Sequence, residues 1–182
     1  MFKVRAAESK DFQAIFNLYK KVAATVGGIS HLEEEISEAY IKNFMLKAQY
    51  NGIQLVVYGD SDPEDVLAEI HCYKPSQSVF AHVLTDLTIV VAPEVQGKGA
   101  GKLLFRSLQQ EIKTNRKDIL RVELIVRETN FRAISFYRSI DFRIEGRFER
   151  RIDSRNGRFE SDIPMAWFNS EFENPYLKRK ED

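Results

Sequence analysis

Apolar residues recur along the chain with two different periods, and each switch of period marks a new element. Residues 2–6 alternate, with Phe2 and Val4 on one side, and predict a first strand. From Ser9 the spacing becomes three and four. Phe12, Ile15, Phe16, Tyr19, Val22, Ala23 and Val26 form the stripe of an amphipathic helix that Gly27-Gly28 stops. Ser30 followed by Glu33 is a capping-box pattern opening a second helix, with Leu32, Ile36, Ala39, Tyr40 and Phe44 inward and three successive glutamates near its positive end. Asn51-Gly52 ends it. Residues 53–58 and 66–73 predict two strands, joined through the acidic turn around Asp62-Pro63 as an antiparallel hairpin. Residues 74–81 read as a loop and 82–92 as a long strand closed by Pro93. A glycine-rich turn then leads into a helix over 99–115, with Leu104, Leu108 and Ile112 on one side. Residues 119–126 alternate again, Leu120, Val122, Leu124 and Val126 against Arg121, Glu123, Ile125 and Arg127. A short helix over 130–140 turns Ala133, Phe136, Tyr137 and Ile140 inward. Two last strands, 142–153 and 158–168, flank the hairpin signal Asn156-Gly157. This order predicts a mixed α/β fold, with parallel pairing around the strand–helix–strand segment 82–126 and antiparallel pairing around it.

Composition narrows the function classes. The 182 residues suit one domain, with a core over about 2–168 and a frayed tail over 169–182 whose end is charged. Lys+Arg and Asp+Glu are both 27, a balance that argues against a nucleic-acid binder, which carries a basic excess. The single Cys72 excludes an internal disulfide framework and leaves no cysteine pair for a structural zinc, so no metal is expected. No apolar run approaches the roughly 18 residues of a membrane span, and the first residues lack the apolar core of a signal peptide. The expectation is a cytoplasmic protein with neither nucleic-acid nor membrane partners.

The most informative stretch runs from Val90 and Val91 through Ala92-Pro93-Glu94-Val95 to Gln96-Gly97-Lys98-Gly99-Ala100-Gly101-Lys102. It lies between a strand and a helix. Three glycines at alternate positions let backbone approach a ligand and turn several N–H groups into one hollow. The positive end of the following helix points at the same place, which suits a phosphate or diphosphate, with Lys98 and Lys102 at the edge. A P-loop fails here, since Gln96 stands for its first glycine and Leu103 for its Ser or Thr. The dinucleotide fingerprint starts at Gly97 and Gly99 but meets Lys102 at its last glycine.

A third pattern, [Q/R]-x-x-G-x-[G/A], is met by Gln96, Gly99 and Gly101. It resembles the pyrophosphate loop of the GNAT acyl-CoA N-acyltransferase superfamily. Downstream, Asn130-x-x-Ala133-x-x-Phe136-Tyr137-x-x-x-Asp141-Phe142 resembles that family's second block, with asparagine opening a helix and tyrosine two-thirds along it. Family members usually carry glycine where Asp141 stands, as the helix C-cap. The element order is similar too, so the resemblance spans about residues 2–168 and is densest over 86–142. It implies a GNAT-like sheet with helices on both faces and acetyl-CoA as cosubstrate, lying in a V-shaped opening between the fourth and fifth strands. It also implies direct acetyl transfer to a primary amine on a small molecule or peptide. A homodimer is admitted as well, since terminal strands in this superfamily often support one.

That chemistry assigns roles. A lysine-like amine is neutral in only about one molecule in 2,500 at pH 7, an α-amino group in roughly one in seven, so the amine must be selected, desolvated or deprotonated. By the resemblance, Tyr137 stands beside the CoA sulfur as the acid for the leaving thiolate; without it, Tyr137 reads as a core aromatic. Asp86 is the candidate base, directly or through a water, or else a polar residue at a strand edge. Backbone groups of Val90 and Val91 are placed along the pantetheine arm, where an N–H can meet the developing oxyanion. Asn130 resembles the asparagine contacting that arm and is also a natural helix N-cap. His71-Cys72 lies in a predicted strand without a nearby ligand partner, so Cys72 reads as an inert buried thiol, and the arginines over 143–158, interleaved with acids, read as a solvated hairpin. The competing readings are a non-catalytic acyl-CoA-binding regulatory module, an N-acyltransferase using another acyl-CoA, and a nucleotide binder using the same loop for ATP or NAD.

Overall fold

The computed structural model describes residues 1–25, 29, 31–60, 62–155 and 157–175. The elements in chain order are β1 (Phe2–Ala6), α1 (Phe12–Ala23), α2 (Glu38–Asn51), β2 (Gly52–Gly59), β3 (Asp62–Tyr73), β4 (Val83–Val91), α3 (Ala100–Asn115), β5 (Arg121–Arg127), α4 (Phe131–Arg138), β6 (Arg143–Ile144), β7 (Phe148–Asp153) and β8 (Phe159–Phe168). The fold is mixed α/β, as the alternation of periods requires. Val26, Gly27-Gly28, Ser30, Asn156 and residues 176–182 lie outside the described residues. Among the described residues no helix is long and apolar enough to cross a membrane.

Two compact units share the chain. One holds Met1–Tyr73 and Thr88–Glu111, the other Lys74–Leu87 and Ile112–Asp182. In the first, β1, β2 and β3 pair antiparallel in turn, Phe2↔Gly59 to Ala6↔Leu55 and Gly52↔Tyr73 to Val57↔Ala68. The end of β4 is tied to β3 by Ala92 N–H donating to the Leu67 carbonyl at 2.9 Å. From Ala68 to Cys72 every β3 residue is buried, the signature of a strand covered on both faces. Ile15, Leu18, Tyr19 and Val22 of α1 and Ile41, Phe44 and Ala48 of α2 supply one cover.

The second helix starts later than the pattern predicts. Glu33–Glu35 form a separate 3₁₀ turn closed by Glu35, whose carboxylate accepts from Leu32 N–H at 2.8 Å. Ile36 is then extended and buried, and Ser37 caps α2, accepting from Tyr40 N–H at 3.2 Å. The glutamates therefore do not line the helix's positive end. Ala39 faces solvent, Tyr40 is half-buried, and Ile41 and Ala48 join Phe44 inside.

In the second unit, the first half of β4 pairs parallel to β5 at Val83↔Arg121 and Leu84↔Val122. Along its whole length β5 pairs antiparallel to β8, from Arg121↔Phe168 to Arg127↔Asp162. Val122, Leu124 and Val126 are buried as the alternation predicts. The single strand expected over 142–153 is broken into β6 and β7, both on β8. Pro164 explains the break. Glu145 N–H donates to its carbonyl at 3.0 Å, but proline has no N–H to return, so the ladder stops. Inside β7 the register shifts between Phe148 and Ile152, and Arg150 takes φ 52° at that bulge.

Candidate functional site

The glycine-rich turn follows β4 and belongs to the first unit. After Ala92 a 3₁₀ turn, Pro93–Val95, changes the chain's direction. Gln96 then reaches back, its Nε2 donating to the Val91 carbonyl at 3.1 Å, which fixes the loop's origin. Gly97 and Gly99 have φ of 74° and 96°, a region a Cβ disfavours. Leu103 N–H bonds the Gly99 carbonyl at 3.0 Å, so α3 begins at Ala100, which is buried as its anchor. Gly101 is different. A Cβ there would meet only Ile89 and Val91 side chains at 3.6 and 3.7 Å, ordinary contacts, so neither space nor backbone conformation demands glycine at this position.

These residues fit the diphosphate of a CoA-type group. The first turn of a helix leaves N–H groups without intrahelical partners, and its dipole is positive there. At Gly99 an added Cβ would meet nothing within 4 Å, so the space beside it is open. Gln96, Gly97, Lys98, Gly99 and Lys102 are exposed. The nearby Glu94 does not oppose an anion, because Lys21 pairs with it at 2.5 Å and holds its carboxyl below the usual range. The Val90 side chain is buried and Val91 half-buried, so only their backbones are candidates, and the Val91 carbonyl already accepts from Gln96.

Asp86, Asn130 and Tyr137 belong to the second unit. Asp86 is exposed and carries φ 53° inside β4, just past the last recorded pairing of β4 with β5. A non-glycine residue held there re-aims its side chain out of the strand's alternation. Asn130 caps α4, its Oδ1 accepting from Ala133 N–H at 3.0 Å, so the capping role is realised. Tyr137 is half-buried between Phe136 and Phe142, ring centroids 5.6 and 5.9 Å away, and burial pushes its phenol up to about 12. It therefore stays a proton donor through neutral pH.

The turn after Tyr137 is built as the sequence suggests. Phe142 N–H returns to the Tyr137 carbonyl and Asp141 N–H to that of Arg138, with Asp141 left-handed at φ 70°. This is a Schellman ending with aspartate where glycine fits best. Asp141→Gly is expected to stabilise the chain by up to about 1 kcal/mol, a rise in Tm of about 2–4 °C. A lower Tm in thermal melts would contradict the assignment.

One cluster had no counterpart in the sequence reading. Glu69 is fully buried on β3 and accepts from Tyr19 Oη at 2.7 Å and from Gln54 Nε2 at 2.9 Å, with His71 Nδ1 3.1 Å away. Phe44 stacks on the His71 ring at 4.0 Å. Burial, then the Glu69 charge, pushes the Tyr19 phenol well above its ordinary value. The readable signal was the i, i+2 spacing of Glu69 and His71 in an apolar strand, which puts both on one face. Cys72, on the other face, is a buried free thiol. Among the hairpin arginines, Arg147 forks onto Glu128 at 2.7 and 2.9 Å, in line with a solvated, paired surface.

Residues 13–142 match the model of the acetyltransferase (GNAT) family. No curated protein sequence matches at a significant level. Several solved structures share the fold at low identity. The ribosomal-protein-S18-alanine N-acetyltransferase of Escherichia coli is 21% identical, with 92% of this chain and 94% of that one covered at a TM-score of 0.71. The structure of yncA from Salmonella typhimurium with its cofactor acetyl-CoA is 19% identical, with 96% and 97% covered at 0.71. Spermidine/spermine N-acetyltransferase SpeG from Vibrio cholerae is 22% identical, with 99% and 97% covered at 0.69.

Proposed function

The chain belongs to the acetyltransferase (GNAT) family, and from that premise we propose that it moves an acetyl group from acetyl-CoA to a primary amine by direct attack, the whole chain acting as one catalytic domain. Acetyl-CoA supplies the acetyl group as a thioester: a C–N bond forms at its carbonyl carbon as the C–S bond breaks. The loop from Gln96 to Lys102 holds the diphosphate through backbone N–H groups, with Lys98 and Lys102 adding charge. Val90, Val91 and Asn130 orient the pantetheine arm. Asp86 takes the amine's proton, directly or through a water, and Tyr137 returns a proton to the leaving sulfur. Fold neighbours named for an alanine of ribosomal protein S18 and for spermidine and spermine support an amine acceptor, on either a peptide or a small molecule.

The observation that carries this reading is the pair of positive-φ glycines immediately ahead of α3. Calorimetric titration of the full chain with acetyl-CoA is expected to give one site. Gly99→Val is expected to weaken it tenfold or more, a loss of about 1.4 kcal/mol, because a β-branched residue strains that backbone and fills the hollow. Absence of binding at millimolar acetyl-CoA, or an unchanged Kd in the variant, would overturn the assignment.

A further inference from the structure

Glu94 is the sole acidic residue between Asp86 and Glu111, and it stands two residues ahead of Gln96 in the same unit as the diphosphate loop. Two residues of chain span at most about 7 Å. That is inside the Debye length of about 8 Å at physiological ionic strength, so a bare carboxylate here would repel a bound diphosphate. The turn that carries Glu94 is fixed. Val95 is buried, its N–H donating to the Ala92 carbonyl at 3.0 Å, and Lys98 N–H donates to the Val95 carbonyl at 3.2 Å. Glu94 therefore needs a cation, and which cation it takes matters to the loop.

Two lysines of this unit act on that carboxylate. Lys21 Nζ lies 2.5 Å from Glu94 Oε1 and donates to it. Lys98, on the loop itself, acts only through its charge and forms no ion pair within 4 Å among the described residues. The hydrogen bond from Lys21, more than any other influence, holds the Glu94 carboxyl below its usual range. Lys21 comes from outside the loop, on the last turn of α1, which is anchored by buried Leu18, Tyr19 and Val22. The adjacent Lys20 is engaged elsewhere, its Nζ donating to the Glu33 carbonyl at 2.8 Å. Without Lys21, Glu94 either stays bare or draws on Lys98. In both cases the charge facing an anion at the loop falls by one unit.

We propose that Lys21 is a positioning residue for the cosubstrate: by occupying Glu94 it leaves Lys98 free to meet the diphosphate, and it touches no substrate itself. This rests on the acetyl-CoA reading above. In calorimetric titrations of the full chain, Lys21→Gln is expected to weaken acetyl-CoA about fivefold at about 20 mM salt and less than about twofold at 0.5 M, where screening shortens the reach of the charge. Lys21→Arg should keep the parent Kd, Glu94→Gln should not weaken binding, and Lys21→Gln combined with Glu94→Gln should recover it. Both side chains of the pair are about half exposed, so thermal melts should agree throughout. By amide NMR, S-acetyl-pantetheine, which lacks the diphosphate, should bind the parent and Lys21→Gln alike, whereas inorganic pyrophosphate should follow the acetyl-CoA order. An unchanged Kd in Lys21→Gln, a loss that ignores salt, a loss retained in the double variant, or an equal loss with S-acetyl-pantetheine would overturn the proposal and leave the acetyl-CoA site standing. If acetyl-CoA does not bind the parent, the cosubstrate reading falls. Pyrophosphate then decides the role of Lys21 separately, upheld by the same order of affinities and overturned by any other result.

Discussion

Tyr137→Phe is expected to lower kcat by about 10²–10³-fold, the range a positioned general acid contributes, while leaving the Kd for acetyl-CoA within about twofold. Phenylalanine keeps the ring between Phe136 and Phe142 and removes only the hydroxyl. Packing of α4 is therefore retained, and a thermal melt should shift little. Burial pushes the Tyr137 phenol up to about 12, so the unaltered enzyme carries this proton at every pH from about 6 to 10. The loss should accordingly be uniform across that window, with no alkaline limb removed. Thiol release with an amine library, run beside calorimetry, separates the readings. An enzyme with this acid loses turnover and keeps affinity; an acyl-CoA-binding regulatory module shows affinity and no transfer in either form. Turnover within twofold of the parent in the variant would remove Tyr137 from the chemistry.

Gly52→Ala should be the most damaging single methyl in the first unit. Gly52 has φ −134°, which any residue adopts, so the cost is one of space. A Cβ there would stand 2.1 Å from the Cys72 carbonyl oxygen and 2.8 Å from Tyr73 Cα and Cβ. Those atoms belong to the paired strand, in register Gly52↔Tyr73 and Ile53↔Cys72. A flexible side chain could swing away; backbone cannot, so β2 must be prised from β3 where their pairing begins. We expect a loss of about 3 kcal/mol or more, the upper end of overpacking and a large share of a domain's total stability of about 5–15 kcal/mol. Urea denaturation checks it, and a midpoint unchanged within error would show that the strand gives way. Gly101→Ala, whose Cβ would make only ordinary contacts with two side chains, is the matched control.

Much of the fold is legible along the chain because its cues are local. The stripe from Phe12 to Val22, the alternation from Val122 to Val126, the Asn130 cap and the left-handed position at Asp141 each depend on neighbours within a few residues. The first three take the form their spacing predicts, and Asp141 is left-handed as the family resemblance implies. The glycines at 97 and 99 were equally readable, since their conformation follows from the turn they must make.

The misreadings come from contacts with distant partners. Ser30-Glu33 has the spacing of a cap, yet α2 begins at Glu38 because Ile36 is pulled into the core and breaks the helical run. The break between β6 and β7 is set by Pro164, about twenty residues further on, which withholds one ladder donor. Nothing near Glu69 announces that Tyr19 and Gln54, 50 and 15 residues away, will donate to it. The chain's own order of residues was enough for most of the element series, the glycine turn ahead of α3 and the family. Packing alone decided which polar side chains are buried together and where strands are interrupted. Periodicity and turn chemistry are properties of neighbouring residues, whereas burial and hydrogen-bond partnership depend on which distant segments the folded chain brings together.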